Sequence, residues 1–99
     1  MGELLLNERE TPKGRLVSVC DAELIGETFE NGEVSLTVNA EFYEGDVADE
    51  DAVVESLARC SVANIVGIDA VDVAIKPGFI DEENVLDIGE TRHAQLLWM

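Results

Sequence analysis

Apolar and polar positions change rhythm several times along the chain, and each rhythm predicts an element. Leu4-Leu5-Leu6 and Leu16-Val17-Ser18-Val19-Cys20 are short strand-like runs, and Thr11-Pro12-Lys13-Gly14 between them carries the Pro and Gly of a turn. The pair reads as a β-hairpin with Arg9, Lys13 and Arg15 near its tip. Asp21 stands where it would cap a short helical turn over Ala22 to Ile25, stopped by Gly26. After a tight turn at Asn31-Gly32, Val34, Leu36 and Val38 alternate with Ser35, Thr37 and Asn39. That period of two predicts a strand with one buried face.

The second half turns to helical spacing. Asp49-Glu50-Asp51 precedes Val53, Val54, Leu57 and Ala58, which places acidic residues at the positive end of an amphipathic helix from about Glu50 to Cys60. Glu55 and Arg59 lie one helical turn apart and are spaced to pair. Val62 to Val66 is a short, mostly apolar run read as a buried strand. Asp69 is placed to cap a second helix through Lys76, with Ile68, Val71, Ala74 and Ile75 on one face and Pro77-Gly78 closing it. Asp81-Glu82-Glu83-Asn84 predicts a turn, Val85 to Ile88 a last strand, and Gly89 the start of a tail ending in Leu96-Leu97-Trp98. Strands and helices are intermixed without full-length βαβ repeats or a glycine-rich phosphate loop. The expected fold is therefore α+β: one domain over residues 1–99, a small two-layer sandwich of a short mixed sheet with two main helices.

Composition changes this picture in one respect. The 99 residues carry 22 Asp and Glu against 6 Lys and Arg, a formal net charge of −16, while 46% of the chain is hydrophobic. Disorder pairs high charge with low hydrophobicity, so an acidic surface around an ordinary core is expected instead. Such a shell suits molar salt, where the Debye length falls to about 3 Å and self-repulsion is screened. Residues 1–20 are balanced, with Glu3, Glu8 and Glu10 against Arg9, Lys13 and Arg15. No apolar run approaches the ~20 residues of a membrane span, and the Met1-Gly2-Glu3 start lacks a basic region and a cleavable apolar one. These features predict a cytoplasmic protein without a membrane association.

Candidate chemistry is sparse. His93 is the only histidine, and Cys20 and Cys60 stand apart without a CxxC pattern. Their spacing does not call for a zinc site, and no metal or cofactor is expected. Cys20 or Cys60 activated by His93 would make a small hydrolase or transferase, but both cysteines end apolar runs and read first as reduced core thiols. Asp46, Asp49, Glu50 and Asp51 lack the spacing of a calcium loop and are accounted for by helix capping and solvation. The residues read as binding candidates are the three hairpin cations Arg9, Lys13 and Arg15, the amide of Asn64 in its apolar run, Arg92 and His93, and Trp98. The hairpin cations would meet phosphates of RNA or a ribonucleoprotein. The Leu96-Leu97-Trp98 tail would serve as an interface anchor, including one for a homodimer. Phe42-Tyr43 reads as core packing before stacking.

The order of several short motifs adds to this. Leu16 to Gly26, Phe42-Tyr43-Glu44-Gly45, Ala63-Asn64-Ile65-Val66-Gly67, and Ile88-Gly89 with His93-Ala94-Gln95 together resemble the uncharacterised archaeal family called domain of unknown function 424. The resemblance implies an archaeal cytoplasmic protein of α+β fold, and the acid-rich composition then points to a haloarchaeal-type member. It implies no activity. The combined expectation is a non-enzymatic binding or adaptor protein, associated with RNA-containing machinery, with the cysteine/histidine enzyme as the alternative.

Overall fold

The computed structural model describes residues 3–98. Strands β1 (Leu4–Thr11) and β2 (Gly14–Asp21) pair antiparallel across a turn at Pro12-Lys13, in register from Leu4 opposite Asp21 to Thr11 opposite Gly14. A 3-10 turn (Ala22–Leu24) leads into a two-stranded sheet of β3 (Thr28–Asn31) and β4 (Val34–Thr37), then a one-turn helix α1 (Ala40–Tyr43) and the short strand β5 (Asp46–Ala48). Helix α2 (Glu50–Arg59), strand β6 (Val62–Val66) and helix α3 (Ile68–Ile75) follow. After a second 3-10 turn (Glu82–Asn84), the chain closes with β7 (Leu86–Ile88) and β8 (Thr91–Leu97).

Six strands form one mixed sheet in the order β5-β1-β2-β6-β8-β7, parallel only where β2 meets β6. Helices α2 and α3 cover one face, as expected for the α+β sandwich. Val17, Val19, Ala63, Ile65, Ala94 and Leu96 of the sheet pack there against Val53, Leu57, Ala70, Val71, Val73 and Ala74 of the helices. A fully buried leucine such as Leu57 contributes about 2–3 kcal/mol by removing its side chain from water. A second cluster on the opposite face joins Cys20 and Val66 to Val38 and Tyr43, with Phe29, Leu36 and Phe42 half-buried around it. Only part of that face is covered.

The periodic elements lie where the sequence places them, and three local readings change. Asp21 does not cap the turn that follows it. Its carboxylate instead reaches across to the start of α3, accepting hydrogen bonds from the backbone amides of Ala70 (2.8 Å) and Asp69 (3.2 Å). Asp69 is thus a first-turn residue, and the position before the helix is Gly67. There φ is +118°, and a Cβ would overlap the Asp21 carboxyl group, so both backbone conformation and space call for glycine. The strand after Asn31-Gly32 ends at Thr37 and belongs to the small sheet, with Val34 49% exposed and only Val38 beyond it fully buried. The tail after Gly89 is a seven-residue strand between β6 and β7. Its alternation was masked because one face meets the helices while the other carries His93, Gln95 and Leu97 toward the half-open side.

Asp49 caps α2 through the Ala52 amide (2.8 Å), and Glu55 pairs with Arg59 at 3.5 Å, both as the spacing predicts. No helix among the described residues is long and apolar enough to cross a membrane.

Two stability outcomes follow from buried polar groups. Asp21→Ala removes the acceptor of two helix amides and is expected to cost about 2 kcal/mol in denaturant unfolding, whereas Asp21→Asn retains a capping oxygen. Burial is the largest influence on the Asp21 carboxyl and raises its pKa above the ordinary 3.8, against the opposing pull of the two amide hydrogen bonds. A raised carboxyl pKa favours the protonated form in the fold. Its contribution is therefore fully present below the unfolded value and lost as pH rises through the folded one. The stability of the wild type relative to Asp21→Asn should fall over that interval, and a pH-independent difference would contradict the assignment. Separately, the Thr91 hydroxyl is buried and meets no hydrogen-bond partner among the described residues. Thr91→Val should raise stability by about 1 kcal/mol, and a loss would show that the hydroxyl is satisfied in solution.

Candidate interaction face

Directly paired residues in neighbouring strands share a face, so the registers sort every strand position of the large sheet. On the side away from α2 and α3, β1 presents Leu5, Asn7, Arg9 and Thr11, and β2 presents Gly14, Leu16, Ser18 and Cys20. Alongside them lie Val62, Asn64 and Val66 of β6, and Leu97, Gln95, His93 and Thr91 of β8. The edges add Val47 of β5, and Leu86 and Ile88 of β7. None of these is Asp or Glu, in a chain that holds 22 of them. The helix-covered face, by contrast, carries Glu8, Glu10, Asp21, Asp46 and Asp87 at the alternate positions.

One end of the acid-free face lies beneath the small sheet and α1, in the cluster around Cys20 and Val66. The other end is open. Leu16 and Val62 are half-buried, and Leu97, their neighbour in the same row, is 63% exposed. In the next row, Gln95 donates from its amide nitrogen to the Asn64 carbonyl oxygen at 2.8 Å, fixing both side chains side by side. Desolvation lowers the pKa of half-buried His93, which favours its neutral form. The open patch therefore combines aliphatic side chains with paired amides, and the half-buried imidazole lies in the neighbouring row beside Val66.

The other residues singled out in the sequence are dispersed. Arg9 lies on the acid-free face, but its guanidinium donates to the Glu41 carbonyl and to Asn7 Oδ1 (3.1 Å) and sits 5.3 Å from the centre of the Phe42 ring. Arg15 points to the helix side, paired with Glu10 at 2.9 Å and Glu8 at 3.7 Å. Lys13, in the turn, makes no ion pair among the described residues and borders a small depression of about 210 Å³ with Leu16, Ser61 and Val62. The hairpin thus presents one uncommitted cation, not a patch of three. Arg92 bridges Asp87 (2.9 Å) and Glu82 (3.0 Å) on the helix side. Trp98 folds back, donating from its indole nitrogen to the Leu57 carbonyl at 3.0 Å and meeting Phe79 edge to face. Of the tail, Leu97 is the residue offered outward on the open sheet face.

Cys20 and His93 share the acid-free face with Val66 between them. They lie in one row two strand spacings apart, roughly 9–10 Å, beyond direct proton transfer. Burial pushes the Cys20 thiol up to about 12, with Asp21 and Glu23 adding to it. Cys60 is also buried, its thiol donating to the Leu57 carbonyl at 3.2 Å, and burial raises its pKa. Neither thiol is poised as a thiolate. Among the described residues no group of three His, Cys, Asp or Glu side chains is arranged to hold a metal ion.

The acid-free face escaped sequence reasoning because its residues are scattered over six strands. Its only linear trace is the lack of acidic residues at alternate positions of Leu5–Thr11, Val62–Val66 and Thr91–Leu97.

In the native protein, iodoacetamide should modify both thiols at least ~100-fold more slowly than free cysteine and at the ordinary rate after denaturation. A native thiol that reacts faster than free cysteine would restore the enzymatic alternative.

A structure described as that of an uncharacterized conserved protein from Methanopyrus kandleri superposes with a TM-score of 0.80 at 22% identity, over 99% of this chain and 96% of that one. This likeness is one of fold. No curated protein matches the sequence. The family model described as protein of unknown function (DUF424) matches residues 8–99, and the chain belongs to that family.

Proposed function

We propose that this protein is a non-enzymatic binding domain of the archaeal cytoplasm that docks on a partner protein through the open half of its acid-free sheet face. One observation carries the reading: carboxylates are absent from every strand position of that face, although the chain's net charge is −16. Carboxylates at a contact must be desolvated or paired, so a face that excludes them loses little on being covered. Leu16, Val62 and Leu97 supply apolar area, and the Asn64–Gln95 pair supplies directional amide groups beside it. The matching surface would be uncharged, with aliphatic and amide side chains of its own. In a salt-rich cytosol such a contact has the advantage that salt strengthens apolar association and screens ionic association.

Docking within an RNA-containing assembly fits this reading if the surface met is a protein component. Direct phosphate contact has less support, because Arg9 and Arg15 are already engaged and His93 is favoured in its neutral form.

The test is recovery from native extract in molar KCl, with and without ribonuclease, using the wild type, Leu97→Glu and the helix-face control Glu55→Gln. A partner should be recovered with the wild type and Glu55→Gln, resist ribonuclease and fall at least ~10-fold with Leu97→Glu, as burying an unpaired charge at an interface requires. Equal recovery with Leu97→Glu would refute docking through this face, and release by ribonuclease would assign the contact to RNA.

A further inference from the structure

On the helix side of the molecule, a groove of about 410 Å³ opens between the amino-terminal end of α2, the length of α3 from Asp69 to Lys76, and the β1–β5 edge. We propose that it binds a small aliphatic amine, with the carbon chain against the apolar lining of the groove and the ammonium against its carboxylates.

The walls decide the first half. Leu4, Val47, Ala48 and Val73 line the groove, so its surface is largely hydrocarbon. Leu4 and Val73 also belong to the main hydrophobic cluster, and Ala48 packs against it, which ties the floor to the core of the fold. A concave site of this size, apolar with a few convergent polar groups, suits a small molecule and is too small for a helix of a partner protein. The charged lining decides the second half. Glu3, Asp49, Glu50, Asp69 and Asp72 also line the groove, and the single cation among its lining residues is Lys76.

Lys76 shows how this lining receives an ammonium. Its Nζ lies 3.3 Å from a Glu50 oxygen on α2 and 3.6 Å from an Asp72 oxygen on α3, spanning the two helices. One lysine leaves Glu3, Asp49 and Asp69 without an ion pair among the described residues. A second ammonium, carried by a short alkyl chain, matches both the remaining charge and the apolar wall. A bare metal ion would match the charge but not the apolar wall, and no three of the described side chains here are grouped as ligands. This site shares no residue with the open patch of the sheet face, so either assignment stands without the other.

A chain of net charge −16 attracts any amine weakly over its whole surface, so the experiment must separate cavity from charge. Titration calorimetry of the full chain with cadaverine, at about 0.1 M salt where screening over ~10 Å still leaves short contacts intact, should give saturable one-to-one binding. Ala48→Phe keeps every carboxylate and fills the groove. It is expected to weaken binding at least ~10-fold, or about 1.4 kcal/mol. Lys76→Met frees Glu50 and Asp72 and is expected to tighten binding by roughly 3- to 5-fold, the scale of one exposed ion pair. Pentanediol, of equal length but uncharged, should not bind, and magnesium should not displace cadaverine at equal concentration. Undiminished binding by a folded Ala48→Phe protein, or non-saturable uptake, would overturn the site in favour of general attraction to the acidic shell. If Ala48→Phe fails to fold, Lys76→Met decides: unchanged affinity overturns the proposal.

Discussion

The seat of α3 on the end of β2 depends on the Asp21 carboxylate and on the glycine that makes room for it. The two oxygens accept from the amides of Asp69 and Ala70, and Gly67 takes a positive φ that brings β6 directly into the helix. Without a Cβ at Gly67, the carboxylate lies against the backbone there. This one contact joins three parts of the topology. It closes the carboxy-terminal end of β2, away from the hairpin turn, fixes the exit of β6 beside it in the parallel pair, and orients α3 so that Ala70, Val71 and Ala74 meet the sheet. The helix amides would otherwise be unpaired at a buried position, which makes the arrangement energetically demanding as well as geometrically specific.

Once α3 and α2 are set on one face, the chain has a single large sheet with two different sides. The helix side absorbs carboxylates by pairing and capping: Glu8 accepts from the Ser56 hydroxyl and meets Arg15, Asp87 meets Arg92, and Asp21 meets the helix amides. The other side lacks α2 and α3 to supply such partners, and its strand positions in the large sheet carry no carboxylates. The small sheet and α1 shelter the row around Cys20 and Val66 and leave Leu16, Val62, Asn64, Gln95 and Leu97 at the open end. A uniformly acidic shell would suffice for solubility in salt. Its interruption over one sheet face is what makes the domain read as a binding partner.

Much of the fold was legible in local signals. The Pro-Lys turn, the α2 cap at Asp49 and the apolar spacing of both main helices act within a few residues and compete with nothing distant. The misread positions depended on partners far along the chain. Asp21 looked like a cap for the turn beside it because the amides it serves belong to residues 69 and 70. Residues 91–97 looked like a tail because a strand with one half-open face alternates Ala94 and Leu96 with His93 and Gln95 instead of giving a continuous apolar run. The hairpin cations were visible as charges, but Glu10, Glu41 and Phe42, which engage Arg15 and Arg9, are placed by pairing and by α1. The interaction face was least legible, since it exists only after six strands have found their registers.

The most direct measurement of that face is side-chain footprinting by hydroxyl radicals, comparing the purified protein with the protein in native extract at the same molar KCl. Docking through the open half of the sheet predicts that Leu97, Val62 and Leu16 become protected in extract while Val54 and Ile68 on the helix side react as before. Protection confined to the helix side, or identical labelling of Leu97 in both preparations, would contradict it.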